Sequence, residues 1–143
     1  MKIKGSRLLG WSLRHLGSAN CEGLMDLWFL KDSYRFWAVE TKEGLYDIKG
    51  GAFRHGELLA AAPAEKTKET ANTVSYKQLL GSYVYDEEGS ILGSIGDVEI
   101  DCDDLRLIAV DLSGGIISDL AFGRIRVSAE HLKDMLVEVE TEK

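Results

Sequence analysis

The residues best suited to chemistry in this sequence are carboxylates that lie close together in its second half. Asp97, Glu99 and Asp101 alternate along one segment, and Asp103 and Asp104 follow at once. Several carboxylates together can hold a hard cation such as Ca²⁺. This series lacks the spacing and the turn glycine of an EF-hand loop, and carboxylates alternating along a strand usually form a solvated face. We therefore expect neither a metal site nor a cofactor here.

The histidines, serines and glycines form no recognisable catalytic or phosphate-binding motif. His15, His55 and His131 lie far apart in the sequence, and no serine stands in a G-x-S-x-G elbow. The glycine pairs at positions 50–51 and 114–115 are not followed by the Lys-Ser/Thr start of a P-loop helix. These observations favour a protein that is not an enzyme, although a ligand or catalytic site assembled only in three dimensions stays an alternative.

The distribution of charge limits the kinds of partner that this protein can bind. The net charge is −7; residues 1–60 carry nine basic against seven acidic side chains, and residues 77–132 carry four against eleven. An acidic second half disfavours direct binding to nucleic acid or to anionic lipid.

Cys21 and Cys102 belong to no C-x-x-C pair, as is usual in a reducing compartment. With no apolar signal segment or membrane-length apolar run, we predict a cytoplasmic protein without a membrane span.

An unusual pair of apolar residues suggests an interaction surface. Between Asp26 and Leu30 we predict a strand with Leu27 and Phe29 pointing inward, which leaves Trp28 and Leu30 on its outer face. Such an apolar pair is normally covered. Either another part of this chain covers it, or a second copy or an external protein does, and we take Trp28 and Leu30 as the candidate interaction residues.

The elements that carry these residues follow a repeat with an offset of 71 positions. At this offset Leu8-Leu9-Gly10 falls on Leu79-Leu80-Gly81 and Asp26 falls on Asp97, among nine identities without a gap. A repeat of this length indicates a small domain used twice, because solenoid units are only about 20–50 residues long. We predict structural roles for four of the repeated residues: Gly10, Asp26, Gly81 and Asp97.

Short strands separated by Gly, Asp and Ser are predicted in both copies. In the second copy they cover residues 82–85, 94–101, 105–112 and 122–127, and a helical turn capped by Ser128 follows. The first copy has corresponding segments at 11–16, 23–30 and 34–41, and residues 133–143 form either an added edge strand or a solvated tail. The pattern is typical of a small sandwich or barrel.

The second copy resembles the PRC-barrel family, the small β-barrel of the photosynthetic reaction-centre H subunit, which a ribosomal RNA maturation factor shares. The resemblance covers roughly residues 78–132 and rests on Leu80-Gly81, Val84, Asp86, Gly89, Gly93, Gly96-Asp97-Val98, Ile100-Asp101, Ala109-Val110, Gly114-Gly115 and Arg124 to Val127. It implies a non-enzymatic module that binds other proteins. The first copy is less similar, since His15 replaces the turn aspartate and Glu22 corresponds to Gly93.

Together these patterns predict an all-β protein of two tandem PRC-like barrels, related by a pseudo-two-fold axis and packed side by side. The first barrel would span residues 1–60, the linker 61–75, and the second barrel with its C-terminal extension 76–143. The expected function is that of an adaptor that binds another protein or a complex through barrel surfaces, with a homodimer as one form of such contact. The alternative is an accessory factor in RNA or ribosome maturation that acts through protein contacts.

Overall fold

Strands dominate the computed structural model, which describes residues 1–15, 20–54, 56–59, 72–113, 125–132 and 136–138. We call residues 1–59 the first half and residues 72–138 the second half. The first half contains β1 (Lys2–Lys4), α1 (Gly5–Leu8), β2 (Ser12–Arg14), β3 (Cys21–Gly23), β4 (Asp26–Leu30), β5 (Phe36–Thr41), β6 (Gly44–Asp47), β7 (Ala52–Arg54) and β8 (Glu57–Leu59). The second half contains β9 (Thr73–Ser75), α2 (Tyr76–Leu79), β10 (Tyr83–Tyr85), β11 (Ile91–Asp101), β12 (Arg106–Ser113), β13 (Ile125–Ser128), α3 (Ala129–Leu132) and β14 (Leu136–Glu138). The predicted all-β class is confirmed.

Three sheets arise from these strands. The largest has the order β13-β12-β11-β10-β14, and β1 also pairs with β11. The other two have the orders β3-β2-β8-β7 and β6-β5-β4-β9. The central strands β4, β5, β11 and β12 are rich in aromatic and aliphatic side chains, which suit a pleated surface buried on at least one side.

The opening strand of each half pairs with the sheet of the other half. β1 lies antiparallel to β11, with Lys2 opposite Asp101, and β9 lies antiparallel to β4, with Thr73 opposite Leu30. These two registers are the same when positions are shifted by 71 residues. Each half therefore contributes a short strand to a sheet of the other half.

A short reciprocal contact joins the two halves at the chain positions that precede β5 and β12. The backbone N–H of Phe36 donates to Leu105 O at 2.8 Å, and that of Leu107 donates to Tyr34 O at 2.9 Å. Tyr34 and Leu105 have φ angles of 57° and 54°, the left-handed conformation that non-glycine residues seldom adopt. Because the same strained turn occurs in both halves, the contact is built from matching backbone on each side.

The hydrophobic core is continuous across the two halves. One cluster of buried side chains includes Leu27, Phe29 and Phe36 of the first half together with Val98 and Leu107 of the second. The rings of Phe29 and Phe36 are 5.3 Å apart between centroids, within the range of favourable aromatic pairs. Neither half therefore encloses its own apolar residues independently of the other.

Several sequence predictions can be compared with these elements. The strands at 82–85 and 94–101 are found, the latter as part of the longer β11, and the turn after Ser128 is α3. The predicted strand 23–30 is interrupted, since β3 ends at Gly23 and β4 begins at Asp26. The C-terminal edge strand is present as β14, which pairs with β10. His55, Gly114-Gly115, Arg124 and linker residues 61–71 lie outside the described residues.

The predicted linker 61–75 contains β9 at its end, so residues 73–75 belong to a sheet. The halves also differ at one edge. β8 runs parallel to β2 in the first half, whereas β14 runs antiparallel to β10 in the second. The described residues establish the strands and their pairing, and the predicted domain boundaries stay a prediction.

Candidate binding site beside Asp26

Asp26 opens β4 and is held by backbone from both halves. Its side chain is buried, with 8% of its surface exposed. Oδ1 accepts from the backbone N–H of Leu27 at 2.8 Å and of Lys77 at 3.1 Å. Lys77 is in the correct place because α2 starts with a capping box, in which Ser75 Oγ accepts from Gln78 N and Gln78 Oε1 accepts from Ser75 N.

The environment of Asp26 disfavours its charged form. Burial raises the pKa of Asp26, and the nearby Glu40 carboxylate adds to that rise, while hydrogen bonds from Leu27, Lys77 and Ser75 only partly offset it. Glu40 lies directly opposite Asp26 on β5 and accepts from the indole Nε1 of Trp28 at 3.0 Å. Two carboxylates and an indole are thus grouped on one face of the β4–β5 pair.

A cavity of about 510 Å³ lies on this side of β4. Its walls combine the carboxylate of Asp26, the indole of Trp28 and the apolar side chain of Leu80 with polar groups from Ser75, Gln78 and Ser82. Leu80 is 37% exposed, so one apolar wall reaches the surface. We call this space the Asp26 cavity. Binding sites are usually concave and partly apolar, with a few polar groups that point into them.

Asp97 occupies the corresponding position in the second half and has more donors. Its Oδ1 accepts from the backbone N–H of Val98 at 2.8 Å and of Ser6 at 3.2 Å, the counterparts of the two backbone bonds to Asp26. Asp97 Oδ2 accepts from Ser6 Oγ at 2.6 Å, and Oδ1 also accepts from the Tyr76 hydroxyl at 3.0 Å. Burial alone would raise the pKa of Asp97, but the hydrogen bonds from Ser6, Val98 and Tyr76 outweigh burial and lower it.

The phenol of Tyr76 can serve only one of the two aspartates. Tyr76 begins α2, and its counterpart at the start of α1 is Gly5. A Cβ atom on Gly5 would lie 2.6 Å from Tyr76 Cε1 and 2.9 Å from Val98 Cγ2, so the ring fills the space that a side chain at position 5 would need. The Tyr76 ring is therefore packed against Gly5 with its hydroxyl on Asp97, and no tyrosine stands at the matching position for Asp26.

Basic side chains neutralise the other carboxylates around Asp97. Lys4 Nζ lies 2.7 Å from Asp111, which is the counterpart of Glu40, and Arg126 lies 2.8 Å from Glu99, the counterpart of Trp28. At the Asp26 site the counterpart of Lys4 is Ser75, and Ser82 is the counterpart of Trp11. The Asp26 cavity is therefore bordered by two small serines at positions whose counterparts in the 71-residue offset are a lysine and a tryptophan.

The structure separates the two predicted interaction residues, Trp28 and Leu30. Trp28 is 8% exposed and lies in the wall of the Asp26 cavity. Its strand, β4, also pairs with β9. Leu30 is half-buried and lines a different cavity of about 280 Å³ with Arg35 and Trp37. They do not form one exposed apolar patch, and their part in partner binding stays a prediction.

The four residues predicted to be structural fall into two pairs. Asp26 and Asp97 both fix the helix of the other half, as described above. Gly81 has a φ angle of +82°, which favours glycine, and its Cβ would meet no atom within 4 Å. Gly10 does not have such a φ angle, and its Cβ would lie 3.3 Å from Arg7 O. The repeated glycine therefore has a conformational role in only the second half.

The alternating acidic residues are individually partnered on the surface of the second half. Asp101 accepts from the backbone N–H of Asp103 at 2.9 Å and of Asp104 at 3.2 Å, and these bonds lower its pKa. Asp103 binds the N-terminal amine of Met1. Within the part of the chain that the structure describes, no group of three His, Cys, Asp or Glu side chains is arranged to hold a metal ion.

The remaining candidates for chemistry lie apart. His15 Nε2 is 3.0 Å from Glu22, whereas His131 is exposed on α3. Cys102 is buried, and desolvation raises the pKa of its thiol to about 11; Cys21 is exposed. Among the described residues, no helix has the length and apolar character needed to cross a membrane.

Sequence reasoning missed the residues that α2 brings to this site. Ser75, Lys77 and Gln78 were assigned to the end of the linker or left without a role, although Ser75-x-x-Gln78 is a capping-box signal that marks a helix start. Tyr76 carried no such signal. Its contact with Asp97 depends on the exchange of β1 and β9 between the halves, which local sequence does not reveal.

A comparison with known families supports the resemblance that was seen in the second half. Residues 71–137 match the PRC-barrel domain. The resemblance seen in the sequence is thereby confirmed for the second half, and β9 to β14 fall within the matched region or reach its end. No curated protein matches this chain.

Proposed function

We propose that this protein is a non-catalytic cytoplasmic adaptor that binds another protein through the surface around the Asp26 cavity. The observation that carries the proposal is the cavity itself, in which Asp26 and Trp28 form a polar and aromatic wall and Leu80 brings an apolar wall to the surface. Met25, which precedes Asp26, is 46% exposed. Exposed apolar residues around a few polar groups are typical of protein interfaces.

The match to the PRC-barrel domain supports a binding role, since the family resemblance implies a module that contacts other proteins. The cavity lies where α2 of the second half crosses β4 of the first half, so its walls come from both. A partner bound there would contact residues 25–28 and residues 75–82 together. This arrangement favours recognition that depends on the complete chain.

We further propose that the two halves are copies of one PRC-like unit related by a pseudo-two-fold axis. The support is the agreement at 71 positions between the β1–β11 and β9–β4 registers, the bonds to Asp97 and Asp26, and the reciprocal pair of bonds at Tyr34 and Leu105. The phenol of Tyr76 on Asp97 and the ammonium group of Lys4 on Asp111 then have no equivalent beside Asp26 and Glu40.

A binding experiment with surface variants tests the adaptor role. Immobilised full-length protein is used to capture partners after cross-linking, and the identified partner is then purified and titrated by calorimetry. Leu80→Glu is expected to weaken its binding by at least about tenfold, because a carboxylate would be placed in an apolar contact. Ile91→Glu is the matched control, since Ile91 is 40% exposed but belongs to β11 and does not line the cavity.

Three results would contradict the proposal. The first is a partner that binds both variants as well as the unmodified protein. The second is loss of binding in Ile91→Glu alone. The third is salt-sensitive binding to RNA without protein, which would favour the accessory role in RNA maturation.

A further inference from the structure

The Asp97 site shows which chemical group completes this kind of site. Lys4, on β1, places its ammonium group 2.7 Å from Asp111. Glu40 is the counterpart of Asp111 and has the indole N–H of Trp28 as its hydrogen-bond donor. The position that corresponds to Lys4 is occupied by Ser75, and the side chain of Ser75 caps α2 instead of pairing with Glu40.

The space that a long basic side chain would need is present. The Asp26 cavity has about 510 Å³, far more than the roughly 10–15 Å³ that a cavity needs to hold one water molecule. Trp28 and Leu80 provide apolar walls against which a methylene stem could lie. The charged end would then meet the buried Asp26, beside which Glu40 stands on the neighbouring strand.

The electrostatics favour a positive occupant. Burial and the neighbouring Glu40 both raise the pKa of Asp26, so a cation near the two carboxylates would relieve their mutual repulsion. Lys77, which also lines the cavity, meets Asp26 through its backbone N–H, and its side chain is exposed. The chain as a whole carries a net charge of −7, which attracts basic partners at long range.

We infer that the Asp26 cavity accepts a lysine or arginine side chain from the partner protein, in the way that Lys4 of this chain serves Asp111. The inference rests on the proposed adaptor function and identifies the chemistry of the partner. The aliphatic part of that side chain packs on Trp28 and Leu80, and its charged end binds the carboxylate of Asp26, with the charge of Glu40 on the neighbouring strand. A cation beside the Trp28 ring also gains from its quadrupole.

The test is a titration of the full-length, ¹⁵N-labelled chain with the tripeptide acetyl-Gly-Arg-Gly-amide, followed by NMR. The chain has three tryptophans, and the indole N–H signal of Trp28 reports on the cavity. We expect a saturable shift of that signal. The control peptide has citrulline in place of arginine, which keeps the shape and removes the charge, and it should cause no saturable shift.

Two variants of one residue separate filling of the cavity from damage to the helix cap. Ser75→Lys supplies the residue that stands at the corresponding position 4 and should raise the apparent Kd for the arginine peptide by at least about tenfold. Ser75→Ala removes the same cap hydrogen bond without filling the cavity, so the rise in Kd that Ser75→Lys shows beyond that of Ser75→Ala measures the filling alone. If Ser75→Lys does not fold, the pair Asp26→Asn and Glu40→Gln provides the same test, because both remove charge while keeping an acceptor oxygen.

The inference is overturned if citrulline and arginine peptides bind equally, if the Trp28 signal does not saturate, or if the charge-removing and cavity-filling variants bind as well as the unmodified chain. Its failure can be told apart from failure of the adaptor function. A partner whose binding still depends on Leu80 would leave the adaptor proposal intact. Saturable arginine binding with a partner indifferent to Leu80 would instead remove the adaptor proposal.

Discussion

Asp26 and Asp97 occupy matching places in the two halves, yet the protein treats them differently. Each fixes the backbone of a short helix from the other half, and each is about nine-tenths buried. Asp97 also receives two hydroxyl donors, and its pKa is lowered; Asp26 lacks the phenol and lies beside Glu40, and its pKa is raised. The comparison teaches that two aspartates at matching positions can differ in how completely the chain satisfies them: Asp97 is surrounded by donors, whereas Asp26 lies beside a second carboxylate.

The largest expected effect comes from removing the charge on each aspartate in turn. Asp97→Asn should lower the free energy of unfolding by about 3 kcal/mol, because four hydrogen bonds to a carboxylate are weakened together. Asp26→Asn should change it by less than about 1 kcal/mol, since an amide oxygen can still accept from Leu27 and Lys77. Urea unfolding at neutral pH measures both. Equal losses in the two variants would refute the difference between the sites.

A smaller effect is expected when the second site is made to resemble the first. Tyr76→Phe keeps the ring against Gly5 and removes the hydroxyl that donates to Asp97. The free energy of unfolding should fall by about 1–2 kcal/mol, the usual cost of losing a hydrogen bond to a charged group. The same variant should raise the pKa of Asp97. A pKa of Asp97 that does not move would show that the phenol contributes nothing to this carboxylate.

The smallest effect concerns the repeated glycine. Gly81→Ala should cost about 1 kcal/mol, because alanine at a φ angle of +82° is strained. Gly10→Ala is the matched variant in the first half and should stay within about 0.5 kcal/mol of the unmodified protein. Thermal or urea unfolding of both compares the halves directly. A larger loss at Gly10 than at Gly81 would contradict the assignment of the conformational role to the second half.

Much of this architecture could be read from the sequence, because several central strands carry their own signal. The alternation of Val98 and Ile100 with acidic residues predicts the end of β11. Leu27 and Phe29 correspond to these two residues in the 71-residue offset, so the same strand is predicted for β4. The family resemblance of the second half has the same basis. Local periodicity and turn residues were sufficient for these elements.

The exchange of strands could not be predicted in this way. β1 and β9 have only three residues each, with Ile3 and Val74 as their single aliphatic residues, so neither shows a period. They become strands because β11 and β4 offer unpaired edges. The Asp26 cavity depends on this exchange, since it is α2, following β9, that carries Lys77 and Leu80 to Asp26. Trp28 was expected on the outer face of β4, yet it is only 8% exposed, and β9 of the other half pairs with its strand.

The opposite pKa directions also set opposite dependences of stability on pH. Asp97, with its lowered pKa, contributes stability above the unfolded pKa, and this is lost as the pH falls through the folded pKa. Asp26, with its raised pKa, favours the folded state most at low pH and costs stability as the pH rises through its folded pKa. The pH dependences that the two aspartates give to the stability therefore partly cancel in the unmodified protein. When one aspartate is replaced by asparagine, the pH dependence of the other remains and can be measured.

The most direct measurement is an NMR titration of the side-chain carboxyl carbons of Asp26 and Asp97 in the full-length protein. The account predicts that Asp26 titrates above the usual aspartate value of about 3.9 and Asp97 below it. Equal midpoints, or a lower midpoint for Asp26 than for Asp97, would contradict the claim that one site is satisfied within the chain while the other is left available to a partner.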